Sequence, residues 1–168
     1  VFQYDILQLV AIKRDFRDIN LVLYGASEAP LVATEIAAAN ISLIFTHHRG
    51  APDQWEKKDM LVGPPLTPSS VTILKQAGVK FALSIESAEG NSFIHNLPIE
   101  ASWAGKYAGL NDKAAVDLVS SNVESILGLK KTDDIVIWEG NPLEFGAAPA
   151  LVVDKAAGRV SGCWPFST

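Results

Sequence analysis

Cysteine is almost absent from this 168-residue chain, and the single Cys163 excludes an internal disulfide and a thiolate metal cluster. Positive charge is in short supply: Lys+Arg is 14 against 19 for Asp+Glu, a net charge of −5. With no basic aromatic stripe either, the chain does not fit a nucleic-acid partner. No stretch approaches the roughly 18 consecutive apolar residues of a membrane-spanning helix, so no membrane partner is expected. The opening Val1-Phe2-Gln3-Tyr4-Asp5 has no initiator Met and no signal-peptide pattern. It reads as a processed, excised or incomplete chain. The compartment is unknown, and soluble and cytoplasmic is the default expectation. What is present is a 48% hydrophobic share with 20% charged residues, which fits a globular chain with a real core. The length suits one domain, or one domain with a small attachment.

The hydrophobic pattern alternates between helical and extended stretches. Ile6, Leu7, Leu9, Val10, Lys13 and Phe16 mark a helix over 1–18. Strands are expected at 20–24, 41–46 and 79–85, apolar on both faces. A helix over 30–39 follows the first strand. A second, capped by Thr67 with Pro68 in its first turn and closed by Gly78, precedes the third strand. After the third strand, 97–108 reads as a helix closed by Gly109. Asn111 caps another, with Val116, Val119, Val123, Ile126 and Leu127 on its core stripe and Gly128 at its end. Strands joined by helices are the signature of a parallel α/β sheet. From Asp134 the texture changes: 135–138, 150–154 and 159–161 are short strands, the last two joined by a turn at 155–158. The boundary falls near 130–133. Three parallel strands make a poor complete domain, whereas a closed (β/α)8 barrel needs eight strands and roughly 250 residues. The chain therefore reads as the last part of something larger.

Several segments carry a family resemblance. Asp133-Asp134-Ile135-Val136-Ile137-Trp138-Glu139-Gly140-Asn141-Pro142-Leu143 resembles the "ADLVVWDGDPL" tail of the amidohydrolase superfamily. Asn96-Leu97-Pro98-Ile99-Glu100-Ala101 and Asn122 to Leu129 are similar to the family's "NLPLEA" and "NPAEILGL" helices. Tyr24-Gly25-Ala26-Ser27-Glu28-Ala29 resembles the "HGxEA" end of the sixth barrel strand. The most similar group is the imidazolonepropionase-like amidohydrolases. The resemblance implies an α/β fold: the C-terminal portion of a (β/α)8 TIM-type barrel at 1–130, carrying strands six to eight, then part of a small β-sandwich at 131–168. The linker at 129–133 is shorter than the family's usual passage.

The family is a set of metal-dependent hydrolases of C–N bonds, usually with zinc, in which the metal activates a water beside the scissile carbonyl. The resemblance implies a divalent metal as cofactor, a small cyclic amide-like substrate, and a missing N-terminal barrel segment, or a second copy, as partner. Its usual ligands include an H-x-H pair on the first strand and a His on the fifth, and neither strand is in this chain. Tyr24 stands at the sixth-strand His position, a poor replacement because its pKa is about 10. Glu86 stands at the eighth-strand Asp position and is the candidate catalytic acid or base. His47 and His48 end a strand, where barrels place their chemistry, and His95 lies in the loop after the eighth strand. Together with Glu86 they are the candidate metal ligands, although adjacent residues on a strand point opposite ways, so at most one of His47 and His48 faces a site. Glu28, Trp55 and Tyr24 are candidate substrate contacts. Asp53, Trp55 and Glu56 read as a lid or as an ordinary polar loop. Cys163, Trp103, Trp138 and Trp164 read as packing residues. The enzymatic expectation is therefore a chain of a metal-dependent amidohydrolase with an incomplete site. The alternative is a non-catalytic, degenerate or truncated homologue that works through protein–protein association.

Overall fold

The computed structural model describes residues 2–46, 48–49, 55, 58–85, 94–131 and 133–163. Chain order runs α1 (Gln3–Asp15), β1 (Val22–Gly25), a 3-10 turn (Ala29–Val32), α2 (Ala33–Ala38), β2 (Ser42–Phe45), α3 (Ser70–Gln76) and β3 (Phe81–Leu83). It continues with α4 (Leu97–Ala108), α5 (Asp112–Asp117), α6 (Ser121–Leu127), β4 (Ile135–Glu139), β5 (Ala148–Asp154) and β6 (Arg159–Gly162). Both expected sheets form: a parallel sheet in the order β1-β2-β3 and an antiparallel sheet in the order β4-β5-β6.

Leu23, Leu43, Phe45, Phe81 and Leu83 alternate onto one face of the parallel sheet, as the two-residue strand period requires. They pack against Ile6 and Val10 of α1, Ile36 of α2, Val71 and Leu74 of α3, and Ala104 of α4. The opposite face carries the row Tyr24–Ile44–Ala82, in register across the three strands. Ile126 of α6 buries part of that face with Ile44 and Ala82.

The two edges of this sheet differ. No strand pairs with the outer edge of β1 among the described residues. The outer edge of β3 is covered instead by the chain between α5 and α6: the Leu83 N–H donates to the Leu118 carbonyl at 2.8 Å, and Asn122 Nδ2 donates to the Phe81 carbonyl at 2.9 Å. This explains a departure from the sequence reading. The single helix expected from Asn111 to Gly128 is broken at 118–120, because the Leu118 carbonyl is recruited by the strand edge. A buried edge N–H left without a partner costs about 1–3 kcal/mol, enough to outweigh one helical bond.

Other boundaries shift for local reasons. Ser69, not Thr67, caps α3: its Oγ accepts the Thr72 N–H at 3.1 Å. The Thr67 hydroxyl is occupied by the Gly63 N–H at 2.8 Å. The helix expected over 30–39 begins as the 3-10 turn, with Pro30 at its start. The helix over 97–108, its Gly109 cap and the Asn111 cap appear as expected, and Asn111 Oδ1 accepts the Ala114 N–H at 2.9 Å.

In the second sheet β4 and β5 pair with an irregularity between Ile137 and Trp138, and β5 and β6 form the expected hairpin. Ile135, Val136, Ile137, Leu151 and Val160 all remain exposed, while most of β5 is half-buried. Leu143, just past β4, is buried against Ala101 and Ala115 and fastens this segment to α4 and α5.

Candidate functional site

Parallel strands end together, and the register sets Gly25, Phe45 and Leu83 side by side. Open α/β sheets and barrels alike place their chemistry beyond these carboxyl ends. Tyr24 projects there from the inner face, 54% exposed, and its hydroxyl donates to the Ile85 carbonyl at 3.3 Å. The bond spans the mouth from β1 to the segment leaving β3. It therefore uses the phenol as a tie between strand ends, next to position 86.

Glu28 lies just beyond β1 and is 1% exposed. Its Oε2 accepts the Gln3 N–H at 2.7 Å, which places a carboxylate at the N-terminus of α1, where the unpaired N–H groups and helix dipole favour it. Oε1 has no partner among the described residues. Glu28 is therefore a buried helix anchor more than an open substrate contact. Trp55 is 77% exposed, with the Lys58 ammonium 5.7 Å from its ring centre.

The charged cluster at this end of the sheet is built on His48. That side chain is buried, and its Nε2 lies 2.7 Å from Glu100 Oε2, in contact but poorly aligned for a ring N–H bond. Nδ1 has no partner among the described residues. Arg49 forks onto the same carboxylate, Nε to Oε2 at 3.0 Å and Nη2 to Oε1. The Arg49 guanidinium in turn lies 5.1 Å from the centre of the Trp103 ring, which stacks on Tyr107. Burial works against the charge on Glu100, but the His48 contact and the Arg49 fork outweigh it and hold the carboxyl at about 2. The Glu100 partnership likewise raises the Arg49 pKa. Glu100 belongs to the first turn of α4, so the cluster straps the segment after β2 to that helix.

These positions meet the sequence expectations unevenly. Tyr24 lies near the end of β1, Glu28 just after β1 and His48 just after β2, each with its own separate partner. His95 is exposed in the turn before α4 and has no polar partner among the described residues. Glu86, His47, Asp53, Glu56 and Trp164 lie outside the described residues. Arg49 and Glu100 were not anticipated. The only hints were an arginine directly after two histidines and an acid in a helical first turn. Trp103 is a packing residue as expected, but one that also carries a guanidinium.

The described residues do not fit a metal centre. His48 Nε2 is against Glu100, the Tyr24 hydroxyl is spent on a backbone carbonyl, and no three His, Cys, Asp or Glu side chains among the described residues converge. No described helix is long and apolar enough to cross a membrane.

Comparison with known proteins adds three findings. No protein-family model matches the sequence. Amidohydrolase tasK of Hapsidospora irregularis is 31% identical over 119 residues, which are 69% of this chain and 12% of that protein. An amidohydrolase crystal structure from Thermotoga maritima MSB8 superposes with a TM-score of 0.71 at 24% identity, over 89% of this chain and 39% of that one. The chain thus spans a small part of the curated relative and less than half of the solved structure.

Proposed function

Since this chain belongs to the amidohydrolase superfamily, we propose that it forms the C-terminal portion of an imidazolonepropionase-like barrel, whose metal-dependent site hydrolyses C–N bonds of cyclic amide-like substrates once a further barrel segment joins it. The observation that carries this reading is the outer edge of β1, which no strand among the described residues pairs, beside a mouth where three strand ends lie side by side. An open parallel edge presents unpaired N–H and C=O groups and calls for another strand. The exposed apolar side chains of the β4-β5-β6 sheet point the same way, since Ile135, Val136 and Val160 call for a covering layer. The described residues offer no ligand set for a divalent ion, so in this reading the ion, zinc, would be held by the joining segment and would there supply carbonyl polarisation and water activation. This chain's contribution is narrower. Glu86 takes and returns the proton, and the Tyr24 hydroxyl steadies the backbone beside it through the Ile85 carbonyl.

Tyr24 also favours a second reading. A phenol at the sixth-strand ligand position suits a homologue that has lost its metal and acts through association at the same open edge. One experiment separates the two. Intact mass and metal content are measured on the natively purified protein, together with hydrolysis of five-membered cyclic amides, for wild type and Tyr24→His. The enzymatic reading expects a mass well above 18.0 kDa, or a tightly bound second chain, with zinc-like ions and turnover. A species of 18.0 kDa without metal or turnover in the wild type overturns it for this polypeptide. Metal uptake only in Tyr24→His supports the degenerate homologue.

A further inference from the structure

At the opposite end of the parallel sheet, away from the mouth, the last turn of α1 faces the last turn of α2 across a cleft of about 340 Å3. It is lined by Lys13, Arg14, Arg17, Ala38, Ala39 and Asn40. That volume lies within the range of small-molecule sites, roughly 300–1,000 Å3. We propose that this cleft binds a small, multiply charged anion bearing phosphate or carboxylate groups, with Arg14 and Arg17 as its ligands.

The argument starts from Lys13. Helix C-termini expose carbonyls and a partial negative charge, which favours a cation there rather than an anion. Lys13 meets that need: its Nζ donates to the carbonyls of Arg17 at 2.5 Å and Ile19 at 2.6 Å. The lysine folds the chain after α1 back on itself and leaves two further cations over. Neither Arg14 nor Arg17 has an ion pair or side-chain hydrogen bond among the described residues, although Asp15 and Asp18 are neighbours in sequence. Elsewhere in the described structure the arginines are paired, Arg49 with Glu100 and Arg159 with Asp154. Two unpaired guanidiniums at one cleft of a chain with net charge −5 are a local excess against the molecule's own balance. The planar guanidinium fork matches phosphate and carboxylate oxygens two at a time. On the α2 side the cleft is lined by the small Ala38 and Ala39 and by Asn40, which holds a left-handed backbone with φ 51°.

The test is thermal denaturation of the full chain with sodium pyrophosphate or sodium citrate, each against sodium chloride at matched ionic strength. The variant is Arg14→Ser/Arg17→Ser. Both positions are exposed, so folding is preserved. The control is Lys130→Ser/Lys131→Ser, which removes the same charge elsewhere. At about tenfold above Kd a saturable rise in Tm of about 3–5 °C is expected. It should persist in the lysine control and vanish in the arginine variant. A larger shift with pyrophosphate assigns a phosphate ligand, and a larger shift with citrate assigns a polycarboxylate. A shift that chloride reproduces, that does not saturate, or that survives in the arginine variant overturns the proposal.

Discussion

Replacing Glu100 with Gln keeps the shape of the side chain and removes its charge, and the structure sets the scale of the result. The carboxylate accepts Arg49 Nε at 3.0 Å, takes a second contact from Nη2, and lies 2.7 Å from His48 Nε2. Its pKa is held at about 2, against 4.5 for an ordinary glutamate. That displacement converts to at most about 3 kcal/mol in favour of the folded state at neutral pH. Glu100 keeps 22% of its side-chain surface and Arg49 keeps 38%, so solvent screening reduces the figure to about 1–2 kcal/mol. The sign follows from the depressed folded-state value. The stabilisation is complete above the ordinary glutamate range and is lost as pH falls from about 4.5 towards about 2. Glu100→Gln should therefore lower Tm at pH 7 by about 3–6 °C. Melting curves collected from neutral pH down to about pH 3 should show the gap to wild type narrowing, because the unfolded-state glutamate takes up a proton below about 4.5 while the folded carboxylate, held at about 2, stays ionised. A variant that melts within about 1 °C of wild type at pH 7, or a gap that stays constant on acidification, would refute the account of this cluster as a charge-held strap.

Two further substitutions test the scaffold. Glu28→Ala removes the carboxylate from the N-terminus of α1 and should cost about 1–2 kcal/mol, read as faster amide exchange confined to the first turn of α1; unchanged exchange at Gln3 to Ile6 would count against the anchor. Leu43→Ala opens a cavity at a fully buried position of the central strand and should cost about 2–5 kcal/mol in urea unfolding, with the midpoint lowered and the slope retained.

Much of the local structure is legible in the amino-acid sequence. Leu97–Ala108 and its Gly109 cap follow from helical periodicity and a left-handed glycine, and the Asn111 cap from an amide oxygen within reach of the next turn's N–H. The parallel and antiparallel halves follow from the change in pattern near 130–133. The break at 118–120 was not legible, because nothing within that segment opposes a helix. The competing bond comes from Leu83, 35 positions back in the chain, and only packing brings the two together. The same holds for Glu100. As a sequence position it is one more acid in a helical first turn. Its role arises because β2 ends where α4 begins, so that His48 and Arg49 close on it.

The amino-acid sequence alone thus determined most of the elements in their order and the family pattern, because periodicity, caps and turn residues act over a few neighbouring positions. The tertiary structure decided which polar groups are engaged. It set Tyr24 on the Ile85 carbonyl rather than free, Glu28 on α1, and Arg14 and Arg17 at a cleft without side-chain partners among the described residues. Hydrogen bonds and ion pairs act over a few ångströms in space, and that proximity comes from how the helices pack on the sheet, not from distance along the chain.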